Sequence, residues 1–465
     1  MKTVLQIGAG KSTSYLIRYL AEKSKNGQFN YIIADMNLGL AGKILGDDYP
    51  HVTLVDLNIF DEQKRRNLIK KSDVVISMLP ARFHTEVAKD ALTYGKHIVT
   101  ASYISDALKS MEHDVKEKGL VFMNEIGLDP GIDHMSAMKT INQIKAQGGK
   151  MIFFESFTGG LVAPESDNNL WHYKFTWNPR NVVLAGQGGV AKFLQAGTYK
   201  YIPYQKLFTR TEFLEIDGYG LFEAYPNRDS LKYQSVYGLE DVRTFFRGTI
   251  RRVGFSRAWN IFVQLGMTDD SYIMENSENM TKRDFLNAFL PYSPYDSVET
   301  KLRMHTGIGQ NDEIWFKLEE LELFDNKKKI GLKNATPAQI LQKILEDKWT
   351  LSPEDKDMIV MYHKFGFELK GKKKQIDATM VVIGENQTYT AMAKTVGIPV
   401  GIAALKILKG EINEPGVHIP IASEVYEPVL KELEDYGIVF NEKEVPFKCY
   451  NPNYSDENSS DTELK

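Results

Sequence analysis

Cysteine is almost absent from this chain of 465 residues, which carries only Cys449. A single cysteine excludes an intrachain disulfide and a cysteine-cluster zinc site, and it fits a reducing compartment. An excess of one charge sign is also missing, because 57 Lys and Arg residues stand against 61 Asp and Glu residues, a net charge of −4. This balance provides no overall attraction to nucleic acid or to an anionic membrane.

Long apolar runs are missing as well, and the longest fall short of the roughly 18 residues that span a bilayer. We therefore expect a cytoplasmic protein with no nucleic-acid partner and no membrane partner. At about 150 residues per domain, the length of the chain indicates roughly three domains, or one large domain with insertions. A hydrophobic content of 43% is ordinary for a globular protein.

Over the first 125 residues, short apolar runs alternate with segments that repeat apolar residues at helical spacing. Strands are predicted at residues 3–7, 31–34, 52–55, 73–79, 97–100 and 120–123, and helices at 12–23, 38–45, from 61, 86–94 and 105–118. Continuous apolar strands that alternate with helices are typical of a parallel sheet covered on both faces. The predicted fold class is α/β, a Rossmann-type doubly wound parallel sheet with ligands at the carboxyl ends of its strands.

The rest of the chain has a different pattern. Residues 150–157, 214–224 and 249–255 predict longer strands that are rich in aromatic side chains. Residues 269–357 are charged and helix-prone, which predicts a helical insertion. Residues 390–408 predict a helix with a Gly-Ile-Pro-Val-Gly interruption. The polar, acidic residues 451–465 predict a flexible tail.

A glycine-rich turn follows the first predicted strand and opens the first helix. It consists of Gly8, Ala9, Gly10, Lys11, Ser12 and Thr13. Gly8 permits a tight turn, and Gly10 lets a pyrophosphate approach the helix N-terminus. Thr13 replaces the usual third glycine, and Leu5 stands where a P-loop needs glycine, so a P-loop is excluded. The strand–turn–helix context favours a dinucleotide-binding loop over an ordinary glycine-rich turn.

Asp35 ends the second predicted strand, 22 residues past Thr13. A carboxylate at this place accepts hydrogen bonds from the adenosine ribose and repels a 2′-phosphate. The residue therefore favours NAD over NADP as the cofactor. The alternative is an aspartate that caps a helix or a turn.

Two polar segments follow the fifth and sixth predicted strands, at the sheet edge where a nicotinamide would lie. The first contains Ala101, Ser102 and Tyr103, and the second runs from residue 124 to 134 with three acids, a histidine, two glycines and a proline. Such a composition is unusual for a simple connection. The alternative is a hinge between domains whose aspartates cap a helix that starts near His134.

Fixed cations occur in the second half of the chain, at residues 225–230 and 247–252. Arg228 and Arg251 suit a ligand with carboxylates, because arginine binds carboxylates through two hydrogen bonds. Composition alone favours the alternative, which is a set of structural ion pairs. The histidines at positions 51, 84 and 172 stand singly, so no metal site is predicted.

At these motifs the sequence resembles the glutamate-forming saccharopine dehydrogenases. The shared segments are the glycine loop, residues 78–80 (Met-Leu-Pro), 100–103 (Thr-Ala-Ser-Tyr), 124–134, 159–166, 173–177, 225–230 and 247–251. Order and spacing match over about residues 1–270 and more loosely beyond. The run at 124–134 is highly specific to this family, whereas the glycine loop alone is not.

The resemblance implies a Rossmann domain at residues 1–130, joined by a C-terminal return at about 387–450. It further implies an α/β substrate and dimerisation domain at 131–268 and about 358–386, and the helical insertion at 269–357. The reaction it implies is oxidation of saccharopine by NAD or NADP to an imine, which water splits into L-glutamate and 2-aminoadipate 6-semialdehyde. The substrate carries several carboxylates, and the implied assembly is a homodimer.

The resemblance also carries over residue roles. The positions that match substrate contacts in the family are Ser102, Tyr103, Asp129, Arg228, Thr249, Ile250 and Arg251. Beyond the glycine loop, the positions that match cofactor contacts are Asp35, Met36, Asp56, Leu57, Met78, Leu79, Ala101, Ser102, Leu128, Asp129 and Pro130. Imine hydrolysis needs a group that moves protons, and we expect Asp129 to have that role, with Tyr103 holding the water.

This sequence departs from the family at two places. Fungal biosynthetic relatives have an arginine-type cofactor pocket after the second strand, where this chain has Asp35, and this again favours NAD. The family often has cysteine before the Gly-Gly-Leu turn, where this chain has Thr158, so a thiol is not essential here.

Two alternative functions stay open. They are a related imine-reducing dehydrogenase for a carboxylated polyamine and a catalytically silent NAD-binding sensor or scaffold. Two arginines argue against the polyamine, and the presence of Asp129, Tyr103 and Arg228 argues against the silent protein.

Overall fold

A computed structural model describes residues 1–46 and 48–448 of the chain. The predicted tail at residues 451–465 and Cys449 lie outside the described residues. Strands and helices alternate in the N-terminal part, as the sequence predicts. Their bounds are β1 (Lys2–Ile7), α1 (Ser14–Ser24), β2 (Phe29–Asp35), α2 (Gly39–Leu45), β3 (Val52–Asp56), α3 (Glu62–Lys71), β4 (Val74–Ser77), α4 (His84–Tyr94), β5 (His97–Val99), α5 (Asp106–Lys109), α6 (Glu112–Glu117) and β6 (Val121–Met123).

One helix prediction in this part is wrong, because residues 105–118 form two short helices rather than one. Ser105 caps α5 by accepting a hydrogen bond from the Leu108 amide. The Met111 amide then bonds to the Leu108 carbonyl at 3.0 Å, only three residues back. This tight turn ends α5, and α6 begins immediately after it.

The remaining elements follow in chain order. They are α7 (Ile132–Ala146), β7 (Lys150–Val162), α8 (Pro179–Val183), β8 (Ala191–Gln195), β9 (Thr198–Ile202), α9 (Tyr204–Leu207), β10 (Glu212–Ile216), β11 (Gly220–Pro226), β12 (Thr244–Arg252), α10 (Phe255–Leu265), α11 (Lys282–Asn287), α12 (Val298–Thr306), α13 (Glu313–Glu320), α14 (Pro337–Trp349), β13 (Asp357–Leu369), β14 (Lys372–Ile383), α15 (Ala391–Lys409), β15 (Gly416–His418), α16 (Ser423–Glu434) and β16 (Asn441–Val445). Helices α11 to α14 fall within the segment that the sequence predicts to be a helical insertion.

The first sheet confirms the predicted Rossmann-type fold. In the described part of the chain it has seven strands in the order β15-β6-β5-β4-β1-β2-β3. All neighbouring strands in this sheet are parallel. The order reverses at β1, which pairs with β2 on one side and with β4 on the other. A crevice for ligands therefore opens at the carboxyl end of β1, beside Gly8.

The second sheet is mixed, with the path β10-β11-β12-β7-β13-β14-β16. Strands β7 and β12 are parallel, and the neighbours on either side are antiparallel. The predicted single strand at 214–224 is instead the β10–β11 hairpin, because the chain turns at Gly218 and Gly220, whose φ angles are +79° and +82°. The predicted strand at 249–255 ends early, since Gly254 (φ +88°) turns the chain into α10.

The end of the C-terminal return does not lie in the Rossmann domain, where it was expected. Strand β15 extends the first sheet beside β6, as a return to the Rossmann domain requires. Strand β16, however, pairs with β14 in the second sheet. The segment up to about residue 450 therefore does not belong to the first domain alone, because its last strand adds an edge to the second sheet.

Helix α15 contradicts one expectation. It runs unbroken through Pro399, although the sequence predicted an interruption there. With 19 residues, it is also long and apolar enough to cross a membrane by length and composition, and 83% of the relevant window is buried inside the protein. Its glycines permit close packing on α1, because a Cβ atom at Gly401 would lie 2.6 Å from the Tyr19 ring.

Candidate active site

The glycine loop lies at the carboxyl end of β1. Gly8 has a φ of +105°, and a Cβ atom there would lie 2.6 Å from the Met78 carbonyl oxygen. Only glycine fits this contact between the loop and the turn after β4. A Cβ at Gly10 would meet nothing within 4 Å. The loop thus leaves open space in front of the helical turn at Lys11–Thr13, which leads into α1.

Asp35 is placed beside this loop at the end of β2. Its carboxylate accepts hydrogen bonds from the Ala9 amide at 2.6 Å and from the Asn37 amide at 2.8 Å. The two predictions for Asp35, a turn cap and a ribose ligand, are therefore compatible, because the partly exposed carboxylate keeps further lone pairs. Asp56 is its partner across the β2–β3 pair, so two carboxylate-bearing residues end these strands.

The other predicted cofactor residues surround the same sheet edge. Met36 is 67% exposed, whereas the Leu57 side chain is buried and its amide bonds to the Asp35 carbonyl. The Met78 amide bonds to the Ile7 carbonyl at the end of β1. Ala101 lies close to Gly127 in the loop after β6. A Cβ atom added at Gly127 would lie only 2.8 Å from the Ala101 Cβ atom.

Ser102 is held by a histidine that the sequence analysis treated as isolated. The Nε2 atom of His84 lies 2.7 Å from the Ser102 hydroxyl, and its Nδ1 atom lies 2.8 Å from the Ser77 hydroxyl. Burial lowers the pKa of His84 to about 4. The signal that could have indicated His84 is its place just after the turn at 78–80, at the carboxyl end of a strand.

Asp129 lies in an ion-pair cluster that joins the two sheets. The Nη2 atom of Arg247 lies 2.7 Å from an Asp129 oxygen and 2.7 Å from an Asp133 oxygen. The Tyr103 hydroxyl reaches the same Asp129 oxygen at 3.5 Å. Leu128 and Pro130 precede and follow Asp129 in the loop, and both are buried. The structure thus brings together Tyr103 and Asp129, as predicted, and adds Arg247, which sequence reasoning did not single out.

The cluster is buried, and burial and the neighbouring charges together set the pKa values of its groups. Burial raises the pKa of Asp129 above its usual value; Arg247 opposes this rise, and Asp133 adds to it. For Asp133 the effects of His134 and Arg247 outweigh burial, so its pKa is lowered. Burial also raises the pKa of Tyr103, which keeps the phenol protonated. A carboxyl group with a raised pKa beside a cation is suited to proton transfer near neutral pH.

Glu125 and His134 are tied into the protein framework. The Glu125 carboxylate accepts hydrogen bonds from the Ile104 amide and the Tyr233 hydroxyl, and it lies 3.0 Å from Nε2 of His134. The Nδ1 atom of His134 bonds to the Tyr237 hydroxyl. These contacts favour the hinge interpretation for the two residues, since their polar atoms are engaged within the fold.

Arg228 and Arg251 make no ion pair with any described residue. The Arg251 side chain is 6% exposed, its Nη1 atom bonds to the Ile250 carbonyl, and its Nε atom has no hydrogen-bond partner. The Arg228 guanidinium lies 5.6 Å from the centre of the Tyr103 ring. The structural ion pairs that composition favoured are therefore absent at both arginines, although Arg247 makes them.

Thr249 and Ile250 differ in their placement. Thr249 is half-buried and stands beside Thr158 in the parallel β12–β7 pair. The Ile250 side chain is fully buried in the second hydrophobic core, against Gly159. A ligand can therefore meet Ile250 only through its backbone. The Thr158 hydroxyl is buried close to Asp129 and acts to lower the pKa of that carboxyl group, against the rise caused by burial.

Family profiles match both parts of the chain. The profile described as "Saccharopine dehydrogenase NADP binding domain" matches residues 4–123. The profile described as "Saccharopine dehydrogenase C-terminal domain" matches residues 127–438. Together the two matches extend from within β1 to beyond the end of α16.

Individual proteins give the same similarity. The chain is 33% identical over 462 residues to saccharopine dehydrogenase (NADP(+), L-glutamate-forming) of Schizosaccharomyces pombe, which covers 95% of this chain and 99% of that protein. It is 33% identical over 452 residues to mitochondrial alpha-aminoadipic semialdehyde synthase of Rattus norvegicus, covering 95% of this chain and 47% of that protein. The solved structure of apo saccharopine dehydrogenase (L-Glu forming) from Saccharomyces cerevisiae is similar with a TM-score of 0.86 at 33% identity, covering 96% of this chain and 100% of that chain.

Proposed function

The chain belongs to the saccharopine dehydrogenase family, and we propose that it catalyses the NAD(P)-dependent oxidation of saccharopine to an imine, followed by hydrolysis to L-glutamate and 2-aminoadipate 6-semialdehyde in lysine metabolism. The proposal rests mainly on one observation, namely that the guanidinium group of Arg251 is buried and has no carboxylate partner among the described residues. Arg251 lies on β12, four residues from Arg247, which bonds to Asp129. Four residues of a strand span about 13 Å, which suits a long substrate with several carboxylates.

The glycine loop fits a dinucleotide. Gly8 allows the close turn, and the open space at Gly10 lies at a helix N-terminus, where backbone amides attract a pyrophosphate. Residues at the ends of β2 and β4 would then line the adenosine and nicotinamide sides. When bound, NAD(P)⁺ supplies the acceptor for the hydride that leaves the substrate.

The chain's own contribution is binding and proton movement. Arg228 and Arg251 would bind substrate carboxylates and fix the amine near Asp129. Asp129 would take the proton that the amine loses when the C=N bond forms, and would release it to solvent. The carboxylate would then take a proton from the water that attacks the imine carbon, and would give that proton to the amine nitrogen as glutamate leaves. The protonated Tyr103 would hold that water through its hydroxyl group. Arg247 would keep Asp129 in the ionised form that accepts a proton.

We also propose that NAD is preferred over NADP. Asp35 and Asp56 both end strands at the ribose side of the loop, and two carboxylates there would repel a 2′-phosphate. The fungal relatives carry NADP(+) in their names, so this preference would distinguish the chain from them.

The expected domain division, the homodimer and the cytoplasmic location belong to the same proposal. Exposed aromatic side chains near the edge of the second sheet support a homodimer, namely Tyr199 (56% exposed), Tyr201 (60%) and Phe213 (62%). Strand β10, which carries Phe213, lies at one end of the described path of that sheet, and Tyr199 and Tyr201 lie on β9, which pairs with β8. Sedimentation of the wild type at dimer mass, and of Phe213→Lys at monomer mass, is the expected result, and a monomeric wild type would contradict it.

The test of the function is the reduction of nicotinamide, followed by absorbance, with saccharopine and either NAD⁺ or NADP⁺. We expect reduction with NAD⁺ and one glutamate released for each cofactor reduced. Reduction with NADP⁺ alone would keep the reaction and reject the cofactor preference. If neither cofactor is reduced by protein that binds it, the substrate is wrong, and a carboxylated polyamine or a silent sensor becomes the better hypothesis.

A further inference from the structure

A buried imidazole links two serine hydroxyl groups beneath the candidate substrate site. His84 begins α4 and is 3% exposed, and Ser77 at the end of β4 is fully buried. The Nδ1 atom of His84 lies 2.8 Å from the Ser77 hydroxyl, and its Nε2 atom lies 2.7 Å from the Ser102 hydroxyl. No other hydrogen bond of either serine hydroxyl occurs among the described residues.

The protonation state of this imidazole limits how the bonds run. Burial lowers the pKa of His84 to about 4, so the ring is neutral at ordinary pH. A neutral imidazole has one N–H donor and one bare nitrogen that accepts. One serine must therefore donate its hydrogen to the ring, while the other accepts a hydrogen from it.

The surroundings of Ser77 decide between the two arrangements. If Nδ1 carried the hydrogen, the fully buried Ser77 hydroxyl would accept it and keep its own hydrogen without an acceptor, which is costly inside a protein. If Nε2 carries the hydrogen, Ser77 donates to Nδ1 and every buried polar hydrogen is used. Nε2 then donates to Ser102, and the Ser102 hydrogen is left over.

We propose that His84 is a positioning residue whose Nε2–H bond to Ser102 turns the Ser102 hydrogen toward the ligand, where it donates to a substrate carboxylate. The opposite arrangement would present only lone pairs to that carboxylate. Half-buried Ser102 lies next to Tyr103, which reaches Asp129. The ligand class rests on the proposed function, whereas the tautomer follows from Ser77 and His84 alone.

The tautomer can be read without any turnover, by nitrogen NMR of the full chain labelled at histidine. Because the chain has nine histidines, the His84 signal is assigned as the one that shifts in Ser77→Ala. We expect a protonated Nε2 and a bare Nδ1. A protonated Nδ1, or a doubly protonated ring at pH 7.5, would overturn the proposal whether or not saccharopine is the substrate.

The positioning role is tested by a double-mutant cycle on saccharopine oxidation. Ser102→Ala and His84→Phe should each raise KM for saccharopine about tenfold or more, the size of a lost hydrogen bond to a charged group, with smaller changes in kcat. The double variant should be no worse than Ser102→Ala alone, because both changes remove the same bond. Effects that multiply would show that His84 only packs, and would overturn the proposal. His84→Gln keeps a donor and an acceptor and should restore part of the loss.

Discussion

Arg247 is the residue whose replacement tests the electrostatics of the site most severely. Its guanidinium group donates to Asp129 and Asp133 at 2.7 Å each and is only 5% exposed. Arg247→Met keeps most of the side-chain volume but removes the charge. The two buried carboxyl groups of Asp129 and Asp133 would then lose the guanidinium group that contacts both of them.

The size of the effect follows from these contacts. An opposite charge at this distance shifts a carboxyl pKa by about one to three units, so the pKa of Asp129, already raised by burial, should rise further by that amount. Each unit corresponds to about 1.36 kcal/mol. Removing one partner of a buried ion pair also costs about 3–5 kcal/mol of folding stability, so the variant should unfold at lower temperature.

The assay is the pH dependence of kcat/KM for saccharopine oxidation. If Asp129 accepts the proton, the acid limb of the profile should move to higher pH by about one to three units in Arg247→Met. Adding Asp133→Asn to Arg247→Met should move the acid limb part of the way back, because this second change removes the negative charge next to Asp129.

Arg252→Met is a matched control, because Arg252 lies on the same strand but bonds to the Tyr219 carbonyl. Its profile should keep the wild-type acid limb. An unmoved acid limb in folded Arg247→Met would refute the assignment of the limb to Asp129. If that variant does not fold, Arg247→Lys retains the charge and should shift the limb by less than one unit.

Three further predictions concern the cofactor, the pH dependence of stability and the packing of α15. Asp35→Asn should shift the NAD/NADP ratio of kcat/KM toward NADP by about tenfold, or about 1.4 kcal/mol, and an unchanged ratio would contradict the repulsion argument. Burial lowers the pKa of His84 and of His363 to about 4, whereas a histidine in the unfolded chain has a pKa of about 6.5. Between these two pH values the unfolded chain therefore binds more protons than the folded one. The free energy of unfolding should therefore fall as the pH drops from about 6.5 toward 4, by up to about 2.7 kcal/mol per pH unit for the two histidines together. This slope can be measured by urea unfolding at several pH values. An unaltered slope in the variant that carries both His84→Phe and His363→Phe would contradict the prediction. Gly401→Ala should cost about 1–3 kcal/mol by overpacking α1, whereas Gly309→Ala, where a Cβ would meet nothing within 4 Å, should be neutral in thermal unfolding.

The parts of the fold that follow from local patterns were predictable. Continuous apolar runs identified β1 to β6, and their parallel order brought Gly8, Asp35 and Ser102 to one edge of the sheet. The β10–β11 hairpin had a readable signal, since Asp-Gly followed by Tyr-Gly favours a turn. Helix α15 was misjudged because Pro399 predicts a break, whereas close packing on α1 keeps the helix continuous.

The partners within the site could not be predicted in the same way. Asp129 and Arg247 are 118 positions apart. They meet because α7, which follows Asp129, packs on β7, and β12 lies beside β7 in the second sheet. No periodicity in the sequence encodes that pairing. The bond between His84 and Ser102 depends likewise on the position of α4 above the ends of β4 and β5.

Asp129 is the residue proposed to move the protons in saccharopine oxidation, and a comparison of Asp129→Ala with the wild type tests this role most directly. Turnover with saccharopine and NAD⁺ and the dissociation constant of NADH, followed by fluorescence, should be measured on the same preparations. We expect turnover to fall by at least about a hundredfold, the usual share of a general base, while the NADH dissociation constant changes only a few-fold. Unchanged turnover in the variant would contradict it.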